Sequence, residues 1–204
     1  MNRAMTTQFL SSTVVRLVVV IVVGVVSCST ALAQSMPAPM GIQYPLLMKV
    51  FSADRNLSAR SGNGIVIGVI YQRNVRESAR AAHSLEEWVR RNPDSPFAGT
   101  EVHLVALAID ELSDLGQALT RDSVDICYIA PLRASSLDTL LSVTRRLSLA
   151  TCTGVPEYVE QGVSVGVGVK ADHPQILINM FATKLETLEL GSEVLTLARI
   201  YAKE

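Results

Sequence analysis

Residues 162 to 166, Gly-Val-Ser-Val-Gly, spell G-x-S-x-G, the spacing of a serine nucleophile held on a tight turn between a strand and a helix. That chemistry needs a strand running into the turn, a helix leaving it to support an oxyanion, and an acid then a histidine further along the chain. The order of elements around Ser164 is wrong for it. Before Gly162 the stretch "GVPEYVEQ" reads as a short helix or turn, and after it Val163, Val165, Val167 and Val169 alternate with Ser164, Gly166 and Gly168. A period of two puts Ser164 inside a strand, on a face of small side chains. Downstream, Asp172 and His173 are adjacent in a hairpin turn and cannot relay back to Ser164. The expectation is a structural serine, with an aromatic ring or the final helix packed over the bare face.

Gly162, Gly166 and Gly168 do not form a phosphate loop either, because neither nucleotide fingerprint is present and no helix starts after the last glycine. No cofactor is expected. His83, His103 and His173 fall in a helix, a strand and a turn without ligand spacing, so no metal site is expected. Glu86, Glu87, Glu101 and Asp110 read as surface acids, with Glu86 and Arg90 at helical pairing distance. No catalytic residue is assigned.

The order of elements says where a ligand would sit. "GIVIGVIYQ" (64–72) is a β-branched run buried on both faces, followed by a helix capped by Asn74 and reaching Arg91, with Val75, Ala79, Ala82, Trp88 and Val89 inward. "EVHLVALAI" is a second strand, and Asp110 caps a helix carrying Leu112, Leu115 and Leu119. "VDICYIAP" is a third strand, Ser135 or Ser136 opens a helix with Leu137, Leu140, Leu141 and Leu147, and "SLATC" is a short fourth strand. "VSVGVGVK" and "QILINM" are too close for a crossover and form a hairpin, and a last helix carries Val194, Leu195, Leu197, Ala198 and Tyr201. The fold class expected is α/β: a mostly parallel, Rossmann/flavodoxin-like sheet flanked by helices, ending in an antiparallel hairpin and a helix.

In such a fold ligands bind at the carboxyl ends of the strands, beside a reversal of strand order. Those loops hold Tyr71 to Arg73, Ala108 to Asp110, Pro131 to Arg133, and Thr153 with Gly154, so Arg73 and Arg133 are the candidate anion contacts. Cys127 in the third strand and Cys152 at the end of the fourth are candidates for a disulfide, or for two buried thiols.

The amino terminus reads as a secretory leader. Arg3 and Arg16 precede "LVVVIVVGVV", an apolar run short of the about 20 residues a membrane helix needs, and Ala31-Leu32-Ala33 offers a cleavage site before Gln34. Val25-Val26-Ser27-Cys28 also resembles a lipobox, in which Cys28 would carry lipid. The domains expected are a leader (1–33), a flexible lead (34–42) and one α/β domain (43–204), in which Tyr44, Leu47, Val50 and Phe51 mark a short amphipathic helix. Export to the periplasm follows. The leader has two arginines and no acid, so its removal takes the formal charge from −1 to −3. That balance excludes nucleic acid as a partner.

The carboxyl-terminal third, "GVPEYVEQGVSVGVGVKADHPQILINMFATKLETLELGSEVLTLARIY", resembles the YfiR-like periplasmic regulators: a short turn, a Gly-rich strand, a hairpin, a strand finishing in Asn, then a helix rich in Leu and Ala. "LLMKVFSADRNL" and "VDICYIAP" are similar to the corresponding upstream segments. The resemblance implies a soluble, non-enzymatic domain that binds the periplasmic sensor domain of a membrane diguanylate cyclase and represses cyclic-di-GMP synthesis, with biofilm output downstream. Two features depart from the family: only Cys127 and Cys152 remain for the disulfides of its founding members, and "FSADRNLSAR" replaces a Trp-containing segment. A homodimer and, as the alternative function, small-molecule binding at Arg73 and Arg133 stay open.

Overall fold

The computed structural model describes residues 35–61, 64–93, 97, 100–133 and 136–202. The leader, Cys28 and the Ala33–Gln34 junction lie outside the described residues, as does Ser135. Seven strands form one sheet in the order β2-β1-β3-β4-β5-β6-β7: β1 (Gly64–Tyr71), β2 (Glu101–Ala108), β3 (Ile126–Ile129), β4 (Ala150–Thr153), β5 (Val165–Lys170), β6 (His173–Asn179) and β7 (Arg199–Tyr201). The first five are parallel in the flavodoxin-like order 2-1-3-4-5. β5 and β6 are the antiparallel hairpin, with Val165 opposite Ile178 and Lys170 opposite His173. The mostly parallel α/β sheet with one antiparallel pair is therefore the architecture the alternation implied.

Helices cover both faces. On one, α1 (Met40–Ser52) and α3 (Arg76–Arg91) pack Tyr44, Leu47, Phe51, Ala81, Ala82 and Leu85 onto Ile65, Ile67, Tyr128, Val165 and Val167. On the other, α4 (Leu115–Arg121), α5 (Leu137–Arg146) and α6 (Pro156–Glu160) pack Leu119, Leu140, Leu141 and Tyr158 onto Ile70, Cys127 and Ile129. β3 and β4 are buried at every position, which is what a strand enclosed on both faces requires. α2 (Arg55–Arg60) follows α1, its first amides capped by the Asp54 carboxylate. Among the described residues no helix is long and apolar enough to cross a membrane.

Several local expectations are corrected. The lead at 34–42 is docked over the portion described: α1 already begins at Met40, Ala38 is buried, and Met36 packs against both cores. Its backbone is held because Gln43 donates from Nε2 to the Ala38 carbonyl, and Pro39 fixes the entry into the helix. Asn74 does not cap α3, which starts after Val75 without a side-chain cap. Nor does Asp110 cap α4, where Asp114 accepts from the Gln117 amide instead. With the start of α3 moved, its buried stripe becomes Ser78, Ala81, Ala82 and Leu85, and Trp88 lies half-buried against Tyr44 with ring centroids 4.9 Å apart. Glu87, rather than Glu86, makes the exposed ion pairs of that helix, with Arg90 and Arg91.

The carboxyl-terminal segment is not one long helix. Asn179 caps a short α7 (Met180–Leu185), accepting from the amides of Phe181 and Ala182 at 3.0 Å. Thr187 then takes the left-handed conformation (φ 57°), α8 (Ser192–Leu197) follows, and Tyr201 pairs with Asn179 as the chain returns beside β6 in β7. Ala198 is extended (φ −96°, ψ 153°), so the last helix, expected to carry Ala198 and Tyr201 as well, stops at Leu197.

The bare face of β5 is covered by α6, not by an aromatic ring or the last helix. A β-carbon on Gly166 would fall 2.4 Å from Cγ2 of Val159, an overlap no neighbour can absorb without moving. Gly166→Ala should destabilise the domain by about 1–3 kcal/mol, the range for overpacking a core. Urea unfolding of wild type and variant measures it.

Candidate functional site

At the amino ends of β4 and β5, Ser164 is fully buried and its hydroxyl donates to Oε2 of Glu186. Thr151 contributes two more donors to the same carboxylate: its hydroxyl to Oε1 at 2.7 Å and its amide to Oε2 at 2.8 Å. The Ser164 amide in turn donates to Thr151 Oγ1 at 3.0 Å. Burial pushes the Glu186 carboxyl up to about 7, opposed by the bonds from Ser164 and Thr151 and by the charge of Arg145. This is an acid next to a serine, with no histidine beside them to complete a relay. His83, His103 and His173 are all exposed, on α3, β2 and the start of β6, and His173 lies at the far end of the hairpin from Ser164. No group of three metal-ligating side chains occurs among the described residues.

Sequence reasoning missed Glu186. Its signal was faint: Ala182, Thr183 and Glu186 share one face of the turn after Asn179, and the first two are buried. A charged residue on that face reads as an end of the apolar stripe until its partners are seen. Ser164→Ala should act on stability, costing about 1–3 kcal/mol, the range for unpairing a buried acceptor, and a fluorophosphonate should not label Ser164. A fluorophosphonate probe that labels the wild-type protein at Ser164 would contradict this.

The carboxyl ends of the strands form the second cluster. Strand order reverses between β1 and β3, and the loops after them are tied together by Gln72: its Oε1 accepts from the Arg133 amide at 2.8 Å and its Nε2 donates to Ser136 Oγ at 3.2 Å. Asp110 reaches across from the loop after β2, its carboxylate accepting from the amides of Arg73 and Asn74 at 2.9 Å each. Those amides, Asn74 first, hold the Asp110 carboxyl below the usual carboxylate range. Arg73 pairs with Glu111 at 3.0 Å in solvent, and Arg133 is exposed. The two arginines therefore flank the reversal point as expected, while Asp110 acts as a brace between loops. α3 and α5 both begin here, one on each face, and neither has a side-chain cap bond.

Next to the reversal point the lead lies over the ends of β3 and β4. Tyr128 places its hydroxyl 3.4 Å from Met36 Sδ and 3.1 Å from Gln43 Oε1. Gly154 is required there, since a β-carbon would overlap the Gln43 side-chain amide. Two hollows open elsewhere. One of about 420 Å³ is lined by Arg55, Lys184, Glu189 and Leu195, and one of about 430 Å³ by Pro37, Glu157, Lys170, Arg199 and Tyr201. Arg73 and Arg133 line neither.

Cys127 and Cys152 are free and buried. The strands are neighbours, but Cys127 stands opposite Thr151 and Cys152 opposite Tyr128. That one-residue offset points the two thiols to opposite faces, Cys127 into the α5 side and Cys152 into the α1 side. A disulfide between them is excluded by the pleat. Burial pushes both thiols up, with the Glu186 charge adding to it. Both should resist a maleimide in the native protein and label in guanidinium without prior reduction; a melting temperature that falls on adding reductant would argue against the assignment.

No protein-family model matches the chain, and no curated protein does. Solved structures share its fold. An ABC domain in complex with L-Trp from Streptococcus pneumonia superimposes with a TM-score of 0.55 at 16% identity, over 79% of this chain and 60% of that one. A conserved domain protein from Vibrio cholerae O1 biovar El Tor gives a TM-score of 0.52 at 15% identity, over 71% and 57%. A ligand-free, open substrate-binding protein with adhesive properties from Clostridium difficile gives 0.49 at 16%, over 72% and 58%. The chain spans about three fifths of the length of each of these structures. The likeness of the first two is one of fold.

Proposed function

We propose that this chain is an exported, non-catalytic binding protein that takes a small molecule at the carboxyl ends of β1 and β3, between Arg73 and Arg133. The observation that carries the reading is the reversal of strand order there, with two uncapped helix starts beside two exposed guanidinium groups. Amides at a helix start and arginine forks both favour an anionic group. The L-Trp complex of the S. pneumonia domain supports a binding role for this type of sheet, and the leader read at residues 1–33 supports export. In a thermal-shift screen against amino acids and small carboxylates, a ligand at 100 times its dissociation constant adds about 2.7 kcal/mol of stability. For a domain of this size that raises the melting temperature by roughly 5–10 °C. Arg73→Ala with Arg133→Ala should abolish the shift, and a panel with no shift would remove the reading.

A second reading rests on other residues. Phe181, Leu185, Leu197 and Ile200 are exposed apolar side chains, Leu197 at 76%, and all four lie in the segment that resembles the YfiR-like regulators. Those exposed side chains, with the resemblance, support a regulatory protein that binds the periplasmic domain of a membrane diguanylate cyclase. Affinity capture from cross-linked envelopes with wild type and Leu197→Asp distinguishes the readings: loss of a captured membrane cyclase in the variant favours the second, and no capture by wild type ends it.

A further inference from the structure

We propose that Glu186 is a proton-operated latch, whose carboxyl group, buried between the amino ends of β4 and β5, holds the carboxyl-terminal segment 180–201 to the sheet more firmly when protonated than when ionised.

The geometry allows both states without moving a heavy atom. Ionised, the carboxylate accepts from the Ser164 hydroxyl, the Thr151 hydroxyl and the Thr151 amide. Protonated on Oε2, it donates to Ser164 Oγ, and the Ser164 hydroxyl turns toward Thr151 Oγ1, 3.4 Å away. Hydroxyl groups are donors and acceptors, so each arrangement is satisfied. What differs is the charge. Glu186 is fully buried and belongs to none of the ion pairs found among the described residues.

The ionisable groups around it are Arg145 from α5, Cys127 from β3 and Cys152 from β4. The two thiols are held neutral by burial. Arg145 favours the ionised form, but its guanidinium is turned to the Gly162 carbonyl at 3.3 Å, and its Nε is buried without a partner. A lone negative charge in such a site costs more than its three bonds return.

The sign follows. The folded protein holds the Glu186 proton up to about 7, above the ordinary 4.5, so the stabilisation is complete below the ordinary value and is lost as pH rises through about 7. Loosening stays local because the same segment has a second fastening on the α1–α2 side. There the Asp54 carboxylate accepts from the Glu189 amide at 2.8 Å, and Asn56 donates to the Thr187 carbonyl at 2.7 Å. The segment carries the edge strand β7 and the exposed Leu197 and Ile200, so the latch sets how firmly that edge is presented.

Hydrogen exchange of the purified protein, corrected for intrinsic rates, tests this at pH 5.5 and 8.5. Peptides over 180–201 should lose protection on the order of tenfold at the higher pH, with peptides over β1 as the internal control. Glu186→Gln should make protection of the segment the same at both values. Ser164→Ala, which removes a donor from the ionised form, should move the midpoint to higher pH, and it decides the matter if Glu186→Gln does not fold. An unmoved midpoint in Ser164→Ala, a wild-type pH profile in Glu186→Gln, or no pH dependence in wild type overturns the proposal.

Discussion

Strands β3 and β4 are buried at every position and β1 at most of them, and a strand enclosed in this way can satisfy its backbone only through its neighbours in the sheet. The groups at the strand ends are the ones that need other partners. Amides and carbonyls that finish a strand must find partners within the next few residues or pay a desolvation cost of the order of a few kcal/mol each. The loops of this protein are organised by that need.

The two rims solve it differently. At the carboxyl ends the partners are neighbouring loops: Gln72 bridges to Arg133 and Ser136, and Asp110 bridges to Arg73 and Asn74. These groups stand in or near solvent, where the two loop amides hold the Asp110 carboxylate and Arg73 pairs with Glu111. At the amino ends the partner is a side chain delivered from far along the sequence, Glu186, in a site sealed from water. The same functional group is thus depressed at one rim, where the amides of Asn74 and Arg73 bond to its charged form, and raised toward neutral at the other, where burial penalises that form.

Small residues set the spacing between these layers. Gly166 admits Val159, Gly154 admits the Gln43 amide, and Ser164 leaves room for a carboxylate. A motif that looks like a nucleophile is here a packing requirement, with one hydroxyl retained because a buried acid needs a donor. The cysteines show the opposite limit. They lie on adjacent strands, yet the pleat turns them to different faces.

The sequence by itself determined the sheet, its parallel run and the hairpin, because alternation, β-branched runs and short links are local signals; Ser164, expected inside the strand, stands one residue before β5. Arg73 and Arg133 were legible as loop residues for the same reason. Only the tertiary structure decided that Asp110 braces another loop instead of capping a helix, that Cys127 and Cys152 cannot bond, and that the last helix stops at Leu197 for the chain to return as β7. Glu186 was the least legible of all. Its burial depends on a chain reversal that brings the residue just after α7 under the start of two strands, 22 positions from Ser164 and 35 from Thr151, and no periodicity in the chain encodes a contact at that range.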